Sequence, residues 1–272
     1  MAPVLALRIT RSEPGSLFVI RPASCPGFVA GGYGDTHDWV DLPTHTAKED
    51  ARVEINEALY TTRAMRRVRP DPVPLEVQAK ILDAAIRAPT GGNAQNWRFL
   101  LVDDSAVISR IGPLYRNSIE QLWKTVYADR LAAAAQDPEA EESIEMVKVQ
   151  RSAQWLADHF EEVPLYLFGF VQADPTGGSI FPAVWSAQLA ARAEGVGSSL
   201  TVVLGFFHPD EVFDILGVPG DEQWVMACCV SFGYPTGRWG VAPRRPVHEV
   251  SFRNTWGAPV GFTVDEPLWP PR

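Results

Sequence analysis

The clearest signal in the chain is a change of hydrophobic period along it. Residues 53 to about 60 read as a short helix, the basic turn Thr62-Arg-Ala-Met-Arg-Arg67 follows, and Pro70, Pro72 and Pro74 forbid a continuing helix. Leu75, Ala79, Leu82 and Ile86 then recur at helical spacing, which predicts one apolar helix face ending before Pro89. After the polar loop Thr90-Gly-Gly-Asn-Ala-Gln-Asn96, the run from Trp97 to Val102 predicts a strand. Residues from about 106 to 162 carry an amphipathic helical pattern, broken by a turn at Gln136-Asp-Pro-Glu139, that suits a lid or packing for a second subunit. Pro164 to Val171 and Trp224 to Phe232 are short unbroken apolar runs, expected of strands buried on both faces. Between them lie an alanine-dense helix from Phe181 to Glu194, stopped by Gly195, and a shorter helix from Pro209 to Leu216.

Strands separated by helical stretches, without a meander of hairpins, indicate a helix-flanked sheet. Residues 1–52 carry scattered Pro and Gly without a period of 2 or 3.6 and read as an irregular extension. A leader without fixed structure is the simpler reading, and an arm around a partner subunit the other. The expected division is this extension, a folded domain over 53–256 and a tail over 257–272.

With 272 residues, 46% of them hydrophobic, the chain can bury a sizeable core. A formal net charge of -9 argues against nucleic acid and anionic membrane surfaces as partners, so an anionic ligand needs a local basic cluster. Cys25, Cys228 and Cys229 make a poor disulfide framework, and no apolar stretch approaches the length of a membrane span, so a cytoplasmic protein is expected.

Common catalytic motifs are missing. There is no Walker A loop, no Gly-x-Ser-x-Gly elbow and no His-Glu-x-x-His, and the five histidines never fall at metal-ligand spacing. Gly195-Val-Gly197-Ser-Ser-Leu200 lacks the third glycine of a dinucleotide fingerprint and follows a helix, so it reads as a helix cap and turn. What remains is polar residues in loops. Arg63, Arg66, Arg67 and Arg69 suit a phosphate, although charge alone does not separate that reading from a solvated basic turn. In Ala88-Pro-Thr-Gly-Gly-Asn-Ala-Gln-Asn-Trp97, glycines permit close backbone approach, and Asn93 and Gln95 each offer a donor and an acceptor; an ordinary Asx-rich turn is the plainer alternative. Arg244 and Arg245 form a second arginine pair far along the chain.

Together these segments, with Gly-Val-Gly, Leu-Gly-Val-Pro, Gly-Tyr-Pro and Arg-Arg-Pro in the same order, resemble the FMN-binding nitroreductase superfamily over about residues 55–252. The resemblance implies an α+β fold, a three-layer α/β/α arrangement around a mixed, mostly antiparallel sheet. It implies FMN held at the phosphate by Arg63, Ala64 and Arg66 with Arg244 closing from the C-terminal side, and lined by Pro89, Thr90, Asn93 and Gln95. Leu200, Thr201, Leu204 and Gly205 become candidates for passing the flavin ring, with a backbone amide near N5. Two departures stand out: Ala64 replaces the family's usual serine, removing a phosphate contact, and Asn96 stands where proline is frequent. Leu204 occupies a position that is acidic in some relatives.

The implied activity is a ping-pong oxidoreductase in which NAD(P)H reduces FMN and a small oxidised acceptor, such as a nitroaromatic or quinone, reoxidises it. Homodimers with FMN at the subunit interface are implied as well, with no catalytic side chain, no metal and no nucleic-acid or membrane partner. Nothing in the sequence chooses among NADH, NADPH and a deazaflavin as donor. Tyr115, Trp123, Tyr127 and Trp155 are aromatic enough to stack on a planar substrate, but read first as core or interface residues. A different class of reading is a flavin-binding or flavin-sequestering module of the same fold without turnover.

Overall fold

The computed structural model describes residues 53–270, so the extension 1–52 lies outside the described residues. Among these, four strands form one sheet: β1 (Trp97–Val102), β2 (Leu165–Val171), β3 (Gly197–Thr201) and β4 (Val225–Gly233), in the order β1-β2-β4-β3. The strand pairings are antiparallel, and the parallel component is the single bridge between Ala64 and Ser198. The helices are α1 (Ile55–Thr61), α2 (Leu75–Ala85), α3 (Ser105–Lys124), α4 (Ala128–Gln136), α5 (Glu141–Asp158), α6 (Ile180–Ala193), α7 (Val203–Phe207) and α8 (Pro209–Leu216).

The central strands explain the three layers. Every residue of β2 is buried, because successive side chains enter opposite cores. Leu165, Leu167 and Val171 meet α2 and α6 together with Cys228 and Val230, whereas Tyr166, Phe168 and Phe170 meet α3, α5 and α8 with Met226 and Cys229. A bulge sets the phase: Gly169 pairs with Cys228 but Phe170 pairs with Met226, leaving Ala227 as the extra residue. Met226 and Cys228, two positions apart, therefore face different layers. The adjacent thiols point to opposite faces; burial pushes Cys228 up to about 12 and Cys229 well above the ordinary thiol range.

Helix ends follow local chemistry. Asp104 caps α3 by accepting from Ala106 N at 2.7 Å, and the Asp174 carboxylate accepts from Ser179 N and Ile180 N at the start of α6. Gly195 at φ 75° ends α6, and Gly217 at φ 66° ends α8.

Three expectations change. The face of α2 against the sheet is Val77, Ile81 and Ala85; of the expected stripe, Leu82 is partly packed, Ala79 is exposed, and Leu75 and Ile86 are 78% and 44% exposed. The helix is apolar on two sides, and the smaller side was chosen because α6 arrives with fully buried Ala183, Ala187 and Ala191, which allow close approach. Gly197 to Leu200 is strand, not turn, and the turn is confined to Glu194 and Gly195. The long helical region has a second break at residues 125–127, where β-branched Thr125 and Val126 follow one another.

Candidate functional site

The basic segment lies across one end of the sheet. Met65 N donates to Ser198 O at 2.8 Å, Arg69 N to Tyr234 O at 2.8 Å, and Thr236 N to Arg67 O at 3.0 Å. Glycine is required beneath it: a Cβ on Gly197 would lie 2.9 Å from Met65 Cβ, and one on Gly233 would lie 2.8 Å from Val68 Cβ. The glycines of Gly-Val-Gly and Gly-Tyr-Pro thus seat the arginine segment.

The arginines differ in their surroundings. Arg69 pairs with Asp71, Arg67 lies over the Trp155 ring, and Arg63 is exposed and donates to Arg238 O at 3.0 Å. Arg66 is half-buried, donates to Ser152 Oγ at 3.1 Å, and forms no salt bridge with a carboxylate among the described residues. Burial lowers its pKa below the ordinary guanidinium value, with nearby Tyr115 opposing. Tyr115 itself is pushed up to about 12, mainly by burial and then by Cys229, against the Thr201 hydroxyl and Arg66. Arg66, Tyr115, Ser152 and Thr201 therefore lie close together. A partly buried guanidinium without a carboxylate among the described residues could hold an anion.

Arg244 is exposed, and with Arg245 it lines a groove of about 860 Å³ together with Tyr60, Thr62 and Trp185. Residues 264–268, including Asp265 and Glu266, form its other wall. Thr62 connects the groove directly to Arg63, and its Oγ1 is buried without a hydrogen-bond partner. Two exposed arginines are donors that fit a phosphate such as that of FMN, while Arg66, against Ser152 of α5 and beside Tyr115 of α3, is not among the residues lining this groove.

The loop from Pro89 to Gln95 is curled, with Gly92, Asn93 and Gln95 at φ 59°, 54° and 51°. Gln95 N donates to Thr90 Oγ1 at 3.2 Å and Gln95 Nε2 to Asn93 Oδ1 at 3.1 Å, which sets two exposed amides side by side. The sheet separates this loop from the arginines. Trp97, at the loop's end, pairs with Val171 on one edge strand, whereas Ala64 bridges Ser198 on the other edge, level with Phe232 and Leu165 at the opposite end. The two halves of the expected site thus occupy diagonal corners within one chain, and the chain alone does not bring them together.

Leu200 and Thr201 are half-buried at the end of β3. The Leu204 side chain is fully buried in the core. Gly205 packs so tightly that a Cβ would lie 2.6 Å from Met226 O. Thr62, which lines the groove, and Ser152 and Tyr115, which neighbour Arg66, were not among the expected site residues. Thr62 adjoins Arg63 and was within reach of sequence reasoning; Ser152 carries no local signal.

The comparisons agree with this architecture. The model of the Nitroreductase family matches residues 59–234, and the chain belongs to that family. Among its relatives, the 5,6-dimethylbenzimidazole synthase of Rhodospirillum rubrum is 30% identical over 66% of this chain and 81% of its own length. The NADH dehydrogenase of Thermus thermophilus is 27% identical over 73% of this chain and 95% of its own. The FMN-dependent nitroreductase of Mycobacterium smegmatis, solved with NADPH, superimposes with a TM-score of 0.53 at 23% identity, covering 73% of this chain and 97% of that one. No helix among the described residues is long and apolar enough to cross a membrane.

Proposed function

We propose that the chain is an FMN-dependent oxidoreductase that passes reducing equivalents from NAD(P)H to a small oxidised acceptor such as a nitroaromatic or quinone, and that it works as a homodimer. The observation that carries this reading is Arg66, half-buried without a carboxylate partner among the described residues, in a chain of net charge -9. A cation so placed is best accounted for by an anionic ligand, and Arg63 and the groove of Arg244 and Thr62 lie along the same stretch of backbone.

In this reading Arg63, Arg66 and Arg244 hold the phosphate and neutralise it. Asn93 and Gln95, with main chain opened by Gly91 and Gly92, hold the polar edge of the ring or the ribityl hydroxyls of a site on the neighbouring copy. Exposed Ile55 and Leu59 on α1, Leu75 on α2, and Phe181 and Trp185 on α6 supply apolar surface for that copy to cover. When bound, FMN supplies the two-electron chemistry, and the protein contributes orientation, charge and exclusion of water.

The test is the absorbance spectrum of purified protein with and without NADH or NADPH. A flavin spectrum that bleaches with donor and returns with air or menadione supports the enzyme. A flavin spectrum that no donor bleaches supports a binding module, and colourless protein that takes up no FMN removes the reading. The relationship to 5,6-dimethylbenzimidazole synthase favours one alternative use of the site, and production of that compound from reduced FMN in air would identify it.

A further inference from the structure

The wall of the groove opposite Arg244 and Arg245 lies beyond the stretch matched by the family model, which ends at residue 234. Residues 264–268 run along it without helix or strand, and no backbone hydrogen bond fixes residues 265–268 among the described residues. Two side-chain contacts hold the segment instead. Val264 N donates to His248 Nδ1 at 3.3 Å, and at the other end the Trp269 ring packs against Tyr60 of α1, with 5.9 Å between ring centres. Asp265 and Glu266 lie between these anchors. Both are exposed, as are the two arginines, and no salt bridge joins the two walls among the described residues.

We infer that residues 264–269 form an acidic strap, which opposes an anionic ligand at Arg244 and Arg245 while it is closed and frees the groove when it lifts from Tyr60. The inference rests on the FMN reading above and adds regulation to it. Two arginines and two carboxylates line the groove, so its charge is balanced with the strap closed and basic with the strap away. A volume of about 860 Å³ is comparable in width with the ~10 Å screening length at 0.1 M salt, so carboxylates on one wall act on an anion held at the other. A segment with an anchor at each end and no backbone ladder between them opens at lower cost than the packed core beneath it.

The experiment titrates apo-protein with FMN and with riboflavin, which lacks the phosphate, and reads flavin fluorescence. The Asp265→Asn, Glu266→Gln double variant is expected to bind FMN about three- to tenfold more tightly at about 0.1 M salt, with riboflavin unchanged. The gain should shrink at about 0.5 M salt, where charges are screened over a shorter range. Trp269→Ala, which removes one anchor, should also tighten FMN, and should add little to the double variant, because charge and not bulk opposes the ligand. The double variant keeps both anchors and the shape of the strap, so its result stands whatever Trp269→Ala does to stability. A double variant that binds FMN no more tightly than wild type, or that tightens FMN and riboflavin alike, overturns the strap and leaves the FMN reading standing. Protein that binds neither flavin in any of these forms overturns both.

Discussion

The Arg192 guanidinium lies 4.2 Å from the centre of the Trp239 ring, and this stack joins α6 to the segment that leads toward Arg244. The same guanidinium donates to Glu57 at 2.6 Å and to Thr61, so one side chain, 4% exposed, ties α6, α1 and residue 239 together. Unlike Arg66, it has a carboxylate partner among the described residues.

Arg192→Leu should therefore destabilise the fold by about 2 kcal/mol, from the lost ion pair, stacking and hydrogen bond, with Glu57's partial exposure tempering the cost. Urea denaturation measures it. The Glu57→Gln, Arg192→Leu double variant should lose less than the sum of the singles, because the pair shares one interaction. A loss below about 0.5 kcal/mol in Arg192→Leu, the size of an ordinary surface change, would show that the cluster is incidental.

Arg66→Ala should behave in the opposite way. It removes a half-buried charge with no carboxylate partner among the described residues, so apo stability should shift by no more than about 1 kcal/mol. FMN affinity should fall about tenfold or more, since hydrogen bonds to charged groups are strong. Flavin content after purification and fluorescence titration check this. Full flavin content in a folded Arg66→Ala protein would remove the phosphate assignment.

Alkaline pH should weaken the fold through acids that it keeps neutral. Cys228 ionises near its ordinary value of 9.0 in the unfolded chain but at about 12 in the folded one. Tyr115 likewise moves from 10.0 to about 12. The folded pKa is raised, so the unfolded state releases protons first. The stabilisation is complete below pH 9.0 and is lost as pH rises through about 12. Each group contributes a slope of about 1.4 kcal/mol per pH unit inside its window. Cys228→Ala should flatten the decline that begins above pH 9.0, on top of a pH-independent cavity cost. An identical pH slope in that variant would contradict the buried-thiol account.

Most of the layer order was legible, because β2 and β4 are buried on both faces and so appear as continuous apolar runs bounded by turn residues. The choice of face on α2 was not, because both of its sides are apolar and the tertiary partner, not the period, selects between them. Gly197 misled for a related reason. Its glycine answers a tertiary need, the 2.9 Å approach to Met65 Cβ, which looks in sequence like a turn signal. The arginine segment was found because it is contiguous. Ser152 and Tyr115, which neighbour Arg66, reach it from α5 and α3 and leave no local trace.

Gly197→Ala should accordingly displace the arginine segment, costing about 1–3 kcal/mol and lowering FMN content. Met65→Ala should not rescue it, because the clash is with the Met65 Cβ itself, whereas Met65→Gly should. Thermal melting and flavin content of the three variants decide it. Rescue by Met65→Ala would mean that the contact lies farther out along the methionine side chain.

The diagonal separation of the loop and the arginines leads to a test of assembly. If one flavin takes its phosphate contacts from one copy and its Asn93 and Gln95 contacts from the other, Arg66→Ala and Gln95→Ala damage different halves of each site. Arg66→Ala homodimers lack the arginine in both sites, and Gln95→Ala homodimers lack the amide in both. A mixed dimer carries one doubly damaged site and one intact site. Random pairing of the two variants makes half the dimers mixed, so about a quarter of all sites should regain wild-type FMN affinity. Unfolding and refolding the variants together, then titrating with FMN, should reveal that tight-binding fraction, while each variant refolded alone should lack it. If co-refolded protein that is demonstrably dimeric shows no such fraction, the loop and the arginines do not share a flavin across the interface.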